Sequence, residues 1–154
     1  VARDVDFIVL QRLAAGCVCA ADRIINVAIV YSTTAITARL NGVITAIDAG
    51  PGNGVMLLLN GGVTLATITL AKPCGVAAAG VLTFTVPALD ISADATGNAD
   101  GARIQDSTGA VMISGLTVGI PLSGANVTIA NGLNSTLVTV GQVVTLISGQ
   151  IIGS

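Results

Sequence analysis

The triplet Asn60-Gly61-Gly62 stands between two apolar runs, residues 55–59 and 63–70, and leaves this stretch few conformations. Adjacent glycines accept the positive φ angles of a tight turn, and the flanking runs supply two strands to pair, so a β-hairpin is expected here. The second run changes the parity of its apolar positions between Leu65 and Ile68. A strand has period two, so the switch requires either a bulge or burial on both faces.

Just upstream lies one helical pattern. Ile36, Leu40, Val43, Ile44 and Ile47 fall at i, i+4, i+7, i+8 and i+11, which at about 100° per residue gathers them within roughly a 100° arc. The stripe predicts a helix over about residues 34–49 with one buried face. Ser32, Thr33 and Thr34 offer N-cap hydroxyls, and Gly50 followed by Pro51 offers a stop. Gly42 inside it costs about 1 kcal/mol relative to Ala, so packing must hold this helix in place.

Downstream, the turn signals recur at short intervals. Lys72-Pro73-Cys74-Gly75 ends the second strand, and residues 77–80 read as a small-residue connection. Leu82, Phe84 and Val86 alternate with Thr83 and Thr85, one face for the core and the other for solvent or a partner. Residues 90–101 form a polar loop long enough to cross between sheets, and residues 102–105 and 110–114 flank Asp106-Ser107-Thr108-Gly109, a second hairpin turn. Leu116, Val118 and Ile120 alternate up to Pro121. Residues 126–130 and 133–140 surround Asn131-Gly132, and residues 143–147 give a last apolar strand before Gly149 and a short 150–152 end. About eight short strands are expected. They define a mainly β chain, with a β-sandwich or jelly-roll-like domain over residues 31–154 and the helix packed at one end or face.

Residues 1–30 read as an N-terminal arm. Phe7, Ile8, Leu10 and Leu13 could form a short amphipathic helix, Gly16 follows, and residues 24–30 resemble a strand. Nothing in this segment could bury a face alone, so it is expected to dock on its own domain or on another subunit. Phe7, Ile8, Leu10, Leu13, Cys17 and Cys19 are the candidate interface residues.

Composition narrows the chemistry. Of 154 residues 53% are hydrophobic and 9% charged, and no Asp, Glu, Lys or Arg follows Asp106. A free monomer's surface carries roughly 25–35% charged residues, so either Thr, Ser and Asn dress the exposed faces or neighbours cover them. No apolar run approaches the ~18 residues of a membrane span, so no membrane partner is expected. A net charge of −2, no basic run and 2% aromatic residues argue against nucleic acid. The chain has no His and no Glu, which removes His-based triads and His-containing metal sites and leaves glycosidase chemistry without support.

The remaining reactive groups have structural readings beside their chemical ones. Cys17 and Cys19 are too close in sequence for an ordinary bridge, and with Cys74 they read as packed thiols or as an intersubunit disulfide. Asp90, Asp94, Asn98 and Asp100 group hard oxygen ligands in one loop, but their spacing matches no EF-hand, and a loop with Asx-turns competes with calcium. Gly50-Pro51-Gly52-Asn53-Gly54 follows a helix and precedes a strand, the reverse of a phosphate-cradling loop. No enzyme activity, metal or cofactor is expected.

Several segments resemble small structural proteins of tailed-bacteriophage virions. They are Tyr31-Ser32-Thr33-Thr34 leading to Ala38-Arg39-Leu40, residues 44–50, Gly80-Val81-Leu82-Thr83-Phe84, Ser92-Ala93-Asp94-Ala95-Thr96-Gly97, Ile104-Gln105-Asp106-Ser107 and Val140-Gly141-Gln142-Val143-Val144. The resemblance covers about residues 27–152, and none of its motifs is catalytic. It implies a non-enzymatic, many-copy virion component assembled in the host bacterial cytoplasm: a capsid decoration or cement protein, or a tail or head-to-tail connector component. The implied partners are the major capsid protein or other virion proteins, and copies of the chain itself. Comparable members begin near Val27-Ala28-Ile29-Val30-Tyr31, so the residues before Val27 are either a lineage-specific clamp or partly a misassigned leader. The reading from another class is a secreted β-sandwich binding or adhesion module, which scarce aromatics and the lack of a signal-peptide pattern count against.

Overall fold

Ser32 starts the helix. Its Oγ accepts the Ala35 backbone N–H at 3.2 Å, and α1 runs Thr33–Ile47. The computed structural model describes residues 30–132 and 135–153, so the arm candidates Phe7, Ile8, Leu10, Leu13, Cys17 and Cys19 lie outside the described residues. Leu40 and Ile47 are buried, and Ile36, Val43 and Ile44 pack against the core, so the sequence stripe is the buried face. Asp48 caps the end by donating its N–H to Ile44 O at 2.9 Å, and Gly50 turns the chain away at φ 88°.

Twelve strands follow, more than the eight expected because several are only two residues long. They are β1 Val55–Asn60, β2 Val63–Thr69, β3 Gly75–Ala78, β4 Val81–Phe84, β5 Ala88–Asp90 and β6 Gly97–Asn98. After these come β7 Gly101–Gln105, β8 Val111–Leu116, β9 Val118–Gly119, β10 Val127–Ala130, β11 Leu137–Val138 and β12 Val144–Ile152. The first sheet has the order β2-β1-β7-β8. The second has the order β3-β4-β12-β10-β9 with β5 also on β12, and β11 pairs with β6. Every pairing is antiparallel except β9 with β10.

The first hairpin has the geometry its glycines imply. Asn60 pairs with Val63, and Gly61 and Gly62 take φ 53° and 93°, the two positive angles of a type I′ turn. Leu58 opposes Ala66 while Leu59 opposes Thr64, so Leu65 is an extra residue. That bulge lets consecutive Leu65 and Ala66 both be buried, and it is the physical form of the parity switch.

Three expectations are corrected. Of residues 77–80, expected as a connection, 77 and 78 end strand β3, Gly75–Ala78, and only 79–80 turn. Gly75 lies so close to β4 that a Cβ would meet the Thr83 carbonyl, and Ala77 is small enough to sit where α1 packs on β3. β10 pairs with β12 and not across Asn131-Gly132, and among the described residues between that turn and 140, Leu137–Val138 alone is extended. Asn131 pulls the chain out of the sheet, donating its side-chain amide to Leu137 O and accepting from Gln142 Nε2 at its own carbonyl. Finally, residues 144–147 and 150–152 belong to a single strand, β12, which passes through Gly149, while Val143 lies just before it. A Cβ there would lie 2.8 Å from Phe84 Cδ2, so Gly149 makes room for the Phe84 ring and does not end the strand.

The outcome is a mainly β, sandwich-like fold with one helix. Met56, Leu58, Ile68 and Ile104 from the first sheet face Leu82, Ile129 and Leu146 from the second, all buried. The helix packs on β3 and β4 and closes one side of the core. Residues 90–101 do cross from β5 in the second sheet to β7 in the first.

Candidate interaction surface

Each sheet turns one set of alternate residues inward and the other outward. On the first sheet the outward set includes Leu57, with Thr67 and Arg103 directly opposite it on either side. Leu57 is nevertheless only 8% exposed. The Thr67 hydroxyl donates to Asp94 Oδ2 at 3.2 Å, and Arg103 Nε is buried with no hydrogen-bond partner. Around Leu57 this face is therefore flanked by polar side chains of its own chain.

The second sheet is dressed differently. Register places Val76, Thr83 and Gln150 in one outward row, Ala78, Val81 and Ile152 in another, and Leu89, Thr145 and Ala130 in a third. Val143 and Ile91 continue beyond the third row, and Ile147 is the bulged residue between Leu146 and Ser148. Val76 is 65% exposed, Ile91 73%, Val143 50% and Ile152 76%. None of these rows contains a charged residue. Asp90, between Leu89 and Ile91, points its carboxylate elsewhere, accepting from the backbone N–H groups of Thr67 at 2.8 Å and Ser92 at 2.9 Å.

At the β9 edge of the same sheet, residues 120–125 fold closely over the strand, since a Cβ on Gly119 would run into Ser123 and Ala125. Pro121 and Leu122 are the central residues of a turn closed by Ser123 N–H to Ile120 O at 3.1 Å. Leu122 has φ 69° and its side chain is fully exposed. That backbone position favours Gly or Asn, and a Leu there costs roughly 1–2 kcal/mol.

In the acidic loop Asp90 and Asp100 accept from backbone N–H groups, and Asp94 accepts from the Thr67 hydroxyl. Asp90 Oδ1 and the Ser92 N–H form an Asx-turn, its Oδ2 caps the edge of β2, and Asp100 Oδ2 accepts from Gly61 N–H at 2.9 Å on the hairpin turn. Asn98 contributes its carbonyl to Asn60 Nδ2. These groups face different donors, and among the described residues no three His, Cys, Asp or Glu side chains converge on a point that could hold a metal ion.

Cys74 is fully buried, and its N–H donates to both Asp48 oxygens at 3.1 and 3.2 Å. Burial, reinforced by the Asp48 charge and hydrogen bond, pushes its thiol up to about 12, so it packs as a neutral SH. In the glycine-rich loop, Lys72 Nζ donates to the carbonyls of Gly50 at 2.9 Å and Gly52 at 3.4 Å. Those carbonyls gather a cation, whereas a phosphate loop would present N–H groups. Asp106 accepts from Thr108 Oγ1 at 2.7 Å, Thr108 N–H at 2.8 Å and Ala110 N–H at 3.0 Å. The Thr108 hydroxyl chiefly, helped by the backbone donors, holds its carboxyl below the ordinary value.

A shallow groove of about 400 Å³ runs along α1, lined by Thr33, Thr34, Thr37, Ala38, Asn41 and Ala79. It holds no titratable side chain, and Thr37 Oγ1 is already bonded to Thr33 O and Gly80 N–H. No helix among the described residues is long and apolar enough to cross a membrane. Neither a protein-family model, nor a curated protein, nor a solved structure matches the chain. The outer face of the second sheet is thus the feature that stands out as a site, and it was missed in the sequence because its residues come from five separate strands. Its one local signal was the alternation of apolar and hydroxyl residues within a charge-free stretch.

Proposed function

We propose that this chain is a non-enzymatic structural protein of a bacteriophage virion, a capsid decoration or cement protein that stabilises the head through contacts repeated over many copies. The observation that supports this reading is the broad, charge-free outer face of the second sheet, with its exposed valines and isoleucines. The described carboxylates and Lys72 are engaged in holding turns, caps and strand edges, as a scaffold requires. The mechanism is contact area. A standard interface buries about 800 Å² per partner, and several weak contacts engaged together hold far more tightly than each alone. The partners are the major capsid protein or other virion proteins and further copies of this chain, with Phe7, Ile8, Leu10 and Leu13 as the anchor of the arm.

Quantitative mass spectrometry of purified particles tests the reading. On the order of hundreds of copies per particle is the expected result for a shell that repeats its contacts by symmetry. About a dozen copies would move the chain to the head-to-tail connector, and its absence from particles would overturn a virion role. Deleting residues 1–26 should lower particle occupancy if the arm anchors the chain; unchanged occupancy removes the arm from the mechanism.

A further inference from the structure

We infer that the outer face of the second sheet joins two copies of this chain face to face about a twofold axis, with β12 of one copy lying across β12 of the other. This deepens the assembly reading and rests on it for its purpose, while its chemistry stands on the face alone.

Area comes first. Val76, Leu89, Ile91, Val143, Ile147 and Ile152 are 38 to 76% exposed and together leave roughly 600 Å² in water, the top of the 300–600 Å² range of the largest apolar patch on a typical monomer. Thr83, Ser148 and Gln150, exposed and interspersed among them, bring the face close to the ~800 Å² per partner of a standard interface. Leaving this much apolar surface in water is unfavourable, and covering it is the driving force for association.

Charge then selects the occupant. A face without ionised groups offers nothing to a charged partner surface, whose groups would lose their hydration without compensation. The first sheet carries Arg103 and Asp94 on or beside its outer face, and α1 carries Arg39. The same face of a second copy meets the requirement in both size and neutrality. A twofold contact sets each patch against itself, so apolar rows meet apolar rows, and Thr83, Ser148 and Gln150 can donate and accept across the axis. Two twisted sheets packed in this way lie about 10 Å apart with strands within roughly 30° of parallel.

The experiment is sedimentation equilibrium of the purified full chain from about 1 to 100 µM, with no other virion component present. The expected result is a dimer whose dissociation constant rises roughly 100-fold on Val143→Asp or Ile152→Asp, since each places a like charge in the apolar contact of both copies. Val111→Asp, at an exposed position on the outer face of the first sheet, should leave it unchanged. Circular dichroism reports whether each variant folds, and the milder Ile152→Asn, expected to weaken the dimer about tenfold, serves if an acidic variant does not. A chain that stays monomeric at 100 µM, or a dimer indifferent to the Val143 and Ile152 substitutions, overturns the interface. A chain that is found in particles yet monomeric sinks only this interface, and one that dimerises yet is absent from particles sinks only the virion reading.

Discussion

The outer faces of the two sheets follow the same period-two rule and reach opposite ends. On the first, Leu57 points outward and is still buried, because Thr67 and Arg103 stand on either side of it and the long Arg103 stem can lie over apolar surface. On the second, the cross-strand neighbours of Leu89 are Thr145 and Ala130 on one row, side chains too short to cover anything. Leu89 and Ile91 remain exposed. Whether an outward apolar residue is buried is therefore decided across the ladder, by the reach of its partners. Around Leu57 the first face is shielded by its own chain, whereas the row of Leu89 stays open.

The contrast can be broken most directly by the same truncation on both sides. Leu57→Ala should cost about 2–4 kcal/mol of folding stability, whereas Leu89→Ala should change the monomer by less than about 0.5 kcal/mol; urea unfolding at low concentration compares them, and equal losses would abolish the distinction. Next in size is Asp90→Ala, which strips the acceptor from two backbone N–H groups. A loss of about 1.5–3 kcal/mol is expected, with faster hydrogen exchange at the Thr67 amide on the edge of the first sheet.

Acid should act on the first sheet before the second. Asp106 closes the β7–β8 turn, and its carboxyl is held below its ordinary value, so its contribution is present above the unfolded pKa and lost as pH falls through the folded one. Asp106→Asn should flatten the acid limb of a stability-versus-pH curve, and an unchanged limb would deny the turn that role. The smallest expected effect belongs to the second face. With no titratable group in its rows, the dimer dissociation constant should shift by less than about threefold between low and moderate salt, where screening strongly weakens exposed charge pairs. A steep salt dependence would show that charged groups enter the contact.

What was legible in the sequence was local. The stripe from Ile36 to Ile47 and the Asn60-Gly61-Gly62 turn encode their geometry within a dozen residues, and the parity switch after Leu65 marked the bulge. β3 was hidden because Gly75 and Ala77 carry no strand signature; they are small because β4 and α1 press against them. β12 was divided at Gly149 because a glycine's need for space under Phe84 looks, in one dimension, like a terminator. The interaction face was the least legible element. Val76 and Ile152 share a face only through β4, which stands between their strands, and no pattern within either strand reports that register.

β12 also sets the order of events during synthesis. β4, β5 and β10 all precede it and are joined into one sheet only by it, since β4 otherwise pairs with β3 alone, β10 with the two-residue β9 alone and β5 with no other described strand, whereas β1, β2, β7 and β8 can assemble earlier from two hairpins. Long-range pairing is the slow step in folding, and here it is also a late one. A nascent chain that has not reached residue 144 holds the first sheet but only separate pieces of the second, so the proposed contact between copies could not form until β12 has been made.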